Sequence, residues 1–271
     1  MSRIDDIFAA LKARQGKALM PFLTAGDPDI ATTGKLIAAC ESAGASICEI
    51  GLPFSDPIAD GPVIQASMTH ALASGLKQQD VMKLIADLRP TTKLGLVAMV
   101  SYSIVYRMGG QSFIKRAADA GFDGFIFPDL PLEESETIRK QVADTGLSMS
   151  MLIAPTTPIE RAKAIAKASS GFVYLLARAG ITGERNDLPP DLSPRIEQLR
   201  KVTDLPIAVG FGIANADHVR QVVSVGDAAI VGSAIMRRVA QHRDKGGDAV
   251  ASEVGRFVRE LAVGLDVHAS A

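Results

Sequence analysis

Apolar residues fall into two alternating textures along this chain. Eight short runs, Leu19–Thr24, Ile47–Leu52, Leu94–Val100, Gly124–Pro128, Ser148–Ala154, Phe172–Ala177, Pro206–Gly210 and Ala228–Gly232, are apolar at nearly consecutive positions. Such runs suit parallel strands covered on both faces, since a half-exposed strand would alternate apolar with polar residues. Between the runs the period lengthens to that of a helix. Ile30, Ile37 and Cys40 share one face of the first such stretch, and Ile159, Ala162, Ile165 and Ala166 share one face of a later one. Helix starts are predicted at Asp29 before Ile30, at Ser193 before Pro194, and at Asn215 before Ala216. The lead-ins Ser42-Ala43-Gly44-Ala45, Asp119-Ala120-Gly121-Phe122 and Ser224-Val225-Gly226-Asp227 each predict a glycine of positive φ that ends a helix and turns the chain into the next strand.

Eight strand–helix units in about 250 residues predict a closed (β/α)8 TIM barrel. An open doubly wound sheet is the rival, but it usually carries a glycine-rich loop after its first strand. Here that position reads Thr24-Ala25-Gly26-Asp27-Pro28, which is no such loop, and no break in composition divides residues 1–271. The expectation is a single barrel domain.

Composition narrows the function. With 29 Lys+Arg against 30 Asp+Glu the net charge is −1, which leaves no basic footprint for nucleic acid or an anionic membrane. Cys40 and Cys48 predict buried thiols rather than a disulfide framework. No apolar signal core and no run long enough to span a bilayer is visible, so a cytoplasmic protein is expected. None of His70, His218, His242 or His268 falls at a strand end, which argues against a metal, and no Lys falls inside the apolar runs, which argues against a Schiff base.

Catalytic groups of a barrel lie at the C-terminal ends of its strands. Two long stretches follow such ends, Pro53–Gly61 and Arg178–Leu192, where about 2–6 residues would suffice. Glu49 lies inside Ile47-Cys48-Glu49-Ile50-Gly51, a costly place for a carboxylate. If residues 47, 49 and 51 face the barrel interior, desolvation raises the Glu49 pKa and suits it to proton transfer; a buried Arg or backbone donor paired with it is the alternative. Asp60 could face Glu49 as a second carboxylate, although Asp60-Gly61-Pro62 also suits a simple helix cap. Asp56, between Ser55 and Pro57, reads as a turn former, and Asp129 ends the fourth run. Gly210-Phe211-Gly212-Ile213 and Gly232-Ser233 stand where barrels bind phosphate, after strands seven and eight. Together these features predict metal-free proton transfer on a phosphate ester, by an isomerase or by a carbon–carbon lyase of retro-aldol type.

Three stretches carry a resemblance: Pro21-Phe22-Leu23-Thr24-Ala25-Gly26-Asp27-Pro28, the segment from Glu49-Ile50-Gly51-Leu52-Pro53-Phe54-Ser55-Asp56 through Asp60-Gly61-Pro62, and Tyr174-Leu175-Leu176-Ala177-Arg178-Ala179-Gly180-Ile181-Thr182-Gly183. With Gly210-Phe211-Gly212-Ile213 and Gly232-Ser233-Ala234-Ile235, they closely resemble the tryptophan synthase alpha subunit family over essentially the whole chain. The resemblance implies a barrel with an extra N-terminal helix and reversible cleavage of indole-3-glycerol phosphate to indole and glyceraldehyde 3-phosphate. It implies Glu49 as general acid/base, Asp60 as the carboxylate on the indole N–H, and Tyr174 as a positioning group. Gly183, Gly212, Gly232 and Ser233 would hold the phosphate, Phe22 and Phe211 would wall the pocket, and the loop with Thr182 would close over the substrate. Pro53 and Asp56 match positions near the interface with a beta subunit, in a heterotetramer of two alpha and two beta chains. Indole would pass to that partner, whose pyridoxal phosphate this chain does not bind. Ser103 stands where the family pattern commonly has Asn, on the side that faces the partner.

Overall fold

The computed structural model describes residues 2–57, 60–177, 189–210 and 212–266. Among them nine strands form: β1 Ala18–Thr24, β2 Ile47–Gly51, β3 Gly95–Met99, β4 Gly124–Ile126, β5 Ser148–Ser150, β6 Leu152–Ile153, β7 Val173–Leu176, β8 Ile207–Gly210 and β9 Ala228–Val231. All pairings are parallel, in the order β5-β4-β3-β2-β1-β9-β8-β7-β6. The two ends of that order, β5 and β6, are separated in the chain by Met151 alone, so the sheet closes on itself. The expected eight strands are therefore present, with the run Ser148–Ala154 split in two. The split has a local cause. Ser170 Oγ accepts from the Met149 amide at 2.8 Å and Ser169 Oγ from the Met151 amide at 3.2 Å, so hydroxyls replace ladder carbonyls along that edge.

The first three helices are α1 Arg3–Ala13, α2 Ile30–Ser42 and α3 Pro62–Ala73. Helix α1 is the extra N-terminal helix, started by a capping box between Ser2 and Asp5. It buries Ile4, Phe8 and Leu11 under the N-terminal end of the barrel. Burial of each such side chain stabilises by about 1.5–3 kcal/mol. The fit is close, since a Cβ at Gly95 would stand 2.6 Å from Ile4 and one at Gly171 would stand 3.3 Å from it. Helix α1 thus covers the N-terminal end of the barrel.

Asp29 and Asn215 cap their helices as expected, accepting from Thr32 N at 2.7 Å and His218 N at 2.9 Å. The helix expected at Ser193 begins earlier, as Leu192–Arg200 with Asp191 before it, so Ser193 and Pro194 occupy its first turn. Gly44 and Gly121 have the predicted positive φ, but Gly226 has φ −96°. Glycine is needed there for proximity instead, because a Cβ would meet Val209 at 3.0 Å and the Ile207 carbonyl at 3.3 Å.

One buried carboxylate fastens the C-terminal face. Asp27, just beyond β1, is fully enclosed. Its Oδ2 accepts from Ser67 Oγ of α3, and its Oδ1 accepts from Arg243 Nη2 at 2.8 Å and Nε at 3.2 Å. His70 Nδ1 of α3 lies 3.2 Å from the same oxygen. Arg243 follows directly on the helix Ser233–His242, so the two helices that begin at the barrel mouth are tied at one point. Asp27→Ala should lower the unfolding free energy by about 3 kcal/mol in urea titration, because it strands a guanidinium and a hydroxyl; an unchanged midpoint would contradict this account.

Candidate active site

Strand pleating decides which side chains enter the barrel. In β2, Glu49 points inward and Cys48 outward, and the register sets Glu49 between Phe22 of β1 and Val97 of β3. Glu49 is 0% exposed, and neither carboxylate oxygen has a hydrogen-bond partner. Among the described residues, the pairing with a buried Arg or backbone donor that the sequence left open does not occur. Desolvation alone pushes its pKa well above the ordinary carboxylate range. Burial therefore favours the protonated form of Glu49.

Asp60 stands at the entry of α3, yet the residue at the capping position is Gly61, and no side chain caps this helix. The Asp60 carboxyl is thus not used as a cap. Burial raises its pKa to about 6. Gln65, one turn into α3, reaches back to hold the end of the loop, donating to Asp60 O at 2.7 Å and Pro57 O at 3.2 Å. Tyr174 of β7 is buried at 7% exposure, and its phenol pKa is raised first by burial and then by the charges of Glu49 and Asp60. The three groups share one electrostatic neighbourhood inside the barrel. Gly210 makes room for the phenol, since a Cβ there would stand 3.3 Å from Tyr174 Oη.

Phe22 links this cluster to the opposite rim. A Cβ at Gly51 would collide with its ring, and one at Gly232 would stand 3.5 Å from its Cβ. Phe22 therefore spans from the strand of Glu49 to the end of β9. There Gly232 precedes the helix Ser233–His242 with no side-chain capping bond, so the positive end of the helix dipole lies at the mouth. Gly212 has φ +35°, a turn that favours glycine.

Other residues singled out in the sequence lie apart from this cluster. Pro53 is buried, and its carbonyl is 3.5 Å from Gln78 Nε2. Asp56 is exposed and accepts from Ser55 Oγ at 2.6 Å, a local turn. Asp129 takes Ser101 Oγ at 2.6 Å and Tyr102 N at 2.7 Å, bracing the ends of β3 and β4 rather than entering the cluster. Thr182, Gly183 and Phe211 lie outside the described residues. Among the described residues no group of three or more His, Cys, Asp and Glu could hold a metal, and no helix is long and apolar enough to cross a membrane. Cys40 and Cys48 are free, buried thiols, and burial pushes Cys40 up to about 12. Sequence reasoning missed Gln65 and Asp27 as supports. A carboxylate between Gly26 and Pro28 at a strand end was the available signal for Asp27.

Comparison with known proteins gives the family of the chain. Residues 8–264 match the family described as tryptophan synthase alpha chain. The chain is 46% identical over 276 residues to the tryptophan synthase alpha chain of Rhodopirellula baltica, covering 98% of this chain and 99% of that one. Its fold superposes on the tryptophan synthase subunit alpha of Legionella pneumophila with a TM-score of 0.88 at 32% identity, covering 98% and 99% of the two chains. A chain of the tryptophan synthase complex from Pyrococcus furiosus gives 0.79 at 31% identity, covering 91% of this chain and 99% of that one. A (β/α)8 barrel sealed below by α1 and matched from end to end by these relatives, the chain belongs to the tryptophan synthase alpha chain family.

Proposed function

We propose that this chain cleaves indole-3-glycerol phosphate to indole and glyceraldehyde 3-phosphate, as the alpha subunit of a cytoplasmic tryptophan synthase. The observation that carries the proposal is the enclosed, unpaired Glu49 carboxyl beside Asp60 and Tyr174. Protonated Glu49 gives its proton to C3 of the indole ring, and the ring nitrogen becomes cationic. Ionised Asp60 accepts the N–H hydrogen bond and stabilises that charge. The Glu49 carboxylate then takes the proton of the hydroxyl on the carbon attached to C3. The C–C bond breaks as that oxygen becomes the aldehyde, and the bonding pair returns to the ring. Glu49 ends protonated, ready for the next cycle. Tyr174 holds the carboxyl and the substrate in register.

At the other rim, Gly212, Gly232 and Ser233 hold the phosphate through backbone amides and a hydroxyl, with Gly183 and Thr182 adding to that end. Phe22 and Phe211 wall the ring. Pro53 and Asp56 lie on the loop that meets a beta subunit, in a heterotetramer of two alpha and two beta chains. Indole passes to that partner, and pyridoxal phosphate belongs to it. The likeness to a chain of a tryptophan synthase complex supports the partnership, and the span of the family match supports one barrel domain for the chain.

The direct test is indole release from indole-3-glycerol phosphate with and without a cognate beta subunit. Release should be measurable and should rise sharply on adding the partner; folded protein that releases none in either mixture would overturn the assignment. Glu49→Gln should lower kcat by about 10²–10⁴-fold while leaving the affinity for indole-3-propyl phosphate unchanged in calorimetry. The pH profile carries a sign. Asp60 acts ionised and its pKa lies at about 6, so kcat/KM should fall as pH drops through about 6. Asp60→Asn should abolish that acid limb and leave low activity that no longer falls as pH drops through about 6.

A further inference from the structure

Thr24 is the last residue of β1 and is 0% exposed, and its Oγ1 has no hydrogen-bond partner. An unmade hydroxyl bond in a dry interior is destabilising, and valine would fill the same β-branched space without that penalty. Packing therefore does not account for a threonine here.

Its direction is set by the register. Phe22 pairs with Glu49, and both point into the barrel; Thr24, two residues on, pairs with Gly51 and points the same way. Thr24 thus lies one pleat, about 6.6 Å along the strand, nearer the open end than the layer of Glu49. Strand β1 is flanked by β2, which carries Glu49, and by β9, which runs into Gly232 and Ser233. The Thr24 hydroxyl consequently stands between the acid/base carboxyl and the phosphate end of the mouth. Under the proposed lyase function, on which this inference rests, the segment of substrate that crosses this interval is the glycerol chain. Glu49 and Thr24 are both 0% exposed, so substrate atoms that reach Glu49 from the open end pass the layer of Thr24 first.

We infer that Thr24 Oγ1 hydrogen-bonds the glycerol hydroxyl next to the one that Glu49 deprotonates, and so selects and orients a hydroxylated three-carbon chain between ring and phosphate. The test uses the full chain assembled with its beta subunit and three forms of position 24: the parent, Thr24→Val and Thr24→Ser. Substrate is indole-3-glycerol phosphate, and the control ligand is indole-3-propyl phosphate, which lacks both hydroxyls. Thr24→Val should lower kcat/KM about tenfold and bind the control ligand as the parent does. Its melting temperature should equal or exceed that of the parent. Thr24→Ser should restore kcat/KM to within about twofold. A valine variant with parental kcat/KM would overturn the inference, as would one that loses affinity for the control ligand by the same factor. If the parent itself releases no indole, the proposed reaction fails and this inference with it, which is a different result from a parent and a valine variant that are equally active.

Discussion

Closing the sheet forces alternate residues of every strand into a space that water does not reach, and at position 49 that residue is a carboxylic acid. Among the described residues its oxygens receive no donor. An ionised carboxylate in such a place is far costlier than a protonated one, so the site stores a proton by default. Much else at the C-terminal face is arranged around that stored proton. Tyr174 is close enough for its phenol to respond to the charge of Glu49, and Gly210 leaves the space in which the phenol sits. Asp60 is less enclosed and keeps a pKa of about 6. Two carboxyl groups of the same chemistry are therefore shifted to different degrees, and the depth of burial separates them.

That division of labour needs a fixed frame, and the frame is made of contacts distant in sequence. Helix α1 packs across the N-terminal end of the barrel. Asp27 binds the helix that begins after Asp60 to the helix that begins after Gly232, through Ser67 and Arg243. Phe22 crosses between the same two regions inside the barrel, touching the positions of Gly51 and Gly232. The Glu49 end and the Gly232 end of the mouth are thus held at a set separation by one polar tie outside the strands and one aromatic side chain within them. Under the proposed function, a substrate with a ring at one end and a phosphate at the other would read that separation.

Much of this architecture was legible in the sequence, for identifiable reasons. Doubly covered strands write themselves as apolar runs, and a lone glutamate inside such a run stands out because burying it is expensive. The caps at Asp29 and Asn215 depend on residues three positions away, and local sequence contains them. What was not legible depends on distant neighbours. Gly226 serves proximity to Val209 rather than a positive φ. The break at Met151 arises from the hydroxyls of Ser169 and Ser170 on the facing segment. Asp27 looks like a turn residue until Arg243, 216 positions on, is brought to it. Thr24 is an ordinary strand residue by composition, and only the closed barrel shows that its hydroxyl has nothing to bind.

The central claim is the protonation of Glu49, and the most direct measurement is a carbon-13 NMR titration of the protein labelled at glutamate carboxyl carbons, with Glu49→Gln to assign the resonance. The Glu49 signal should stay at the protonated position at pH 7 and titrate well above the ordinary carboxylate range. A Glu49 signal that titrates near the ordinary glutamate value of about 4.3 would contradict that claim.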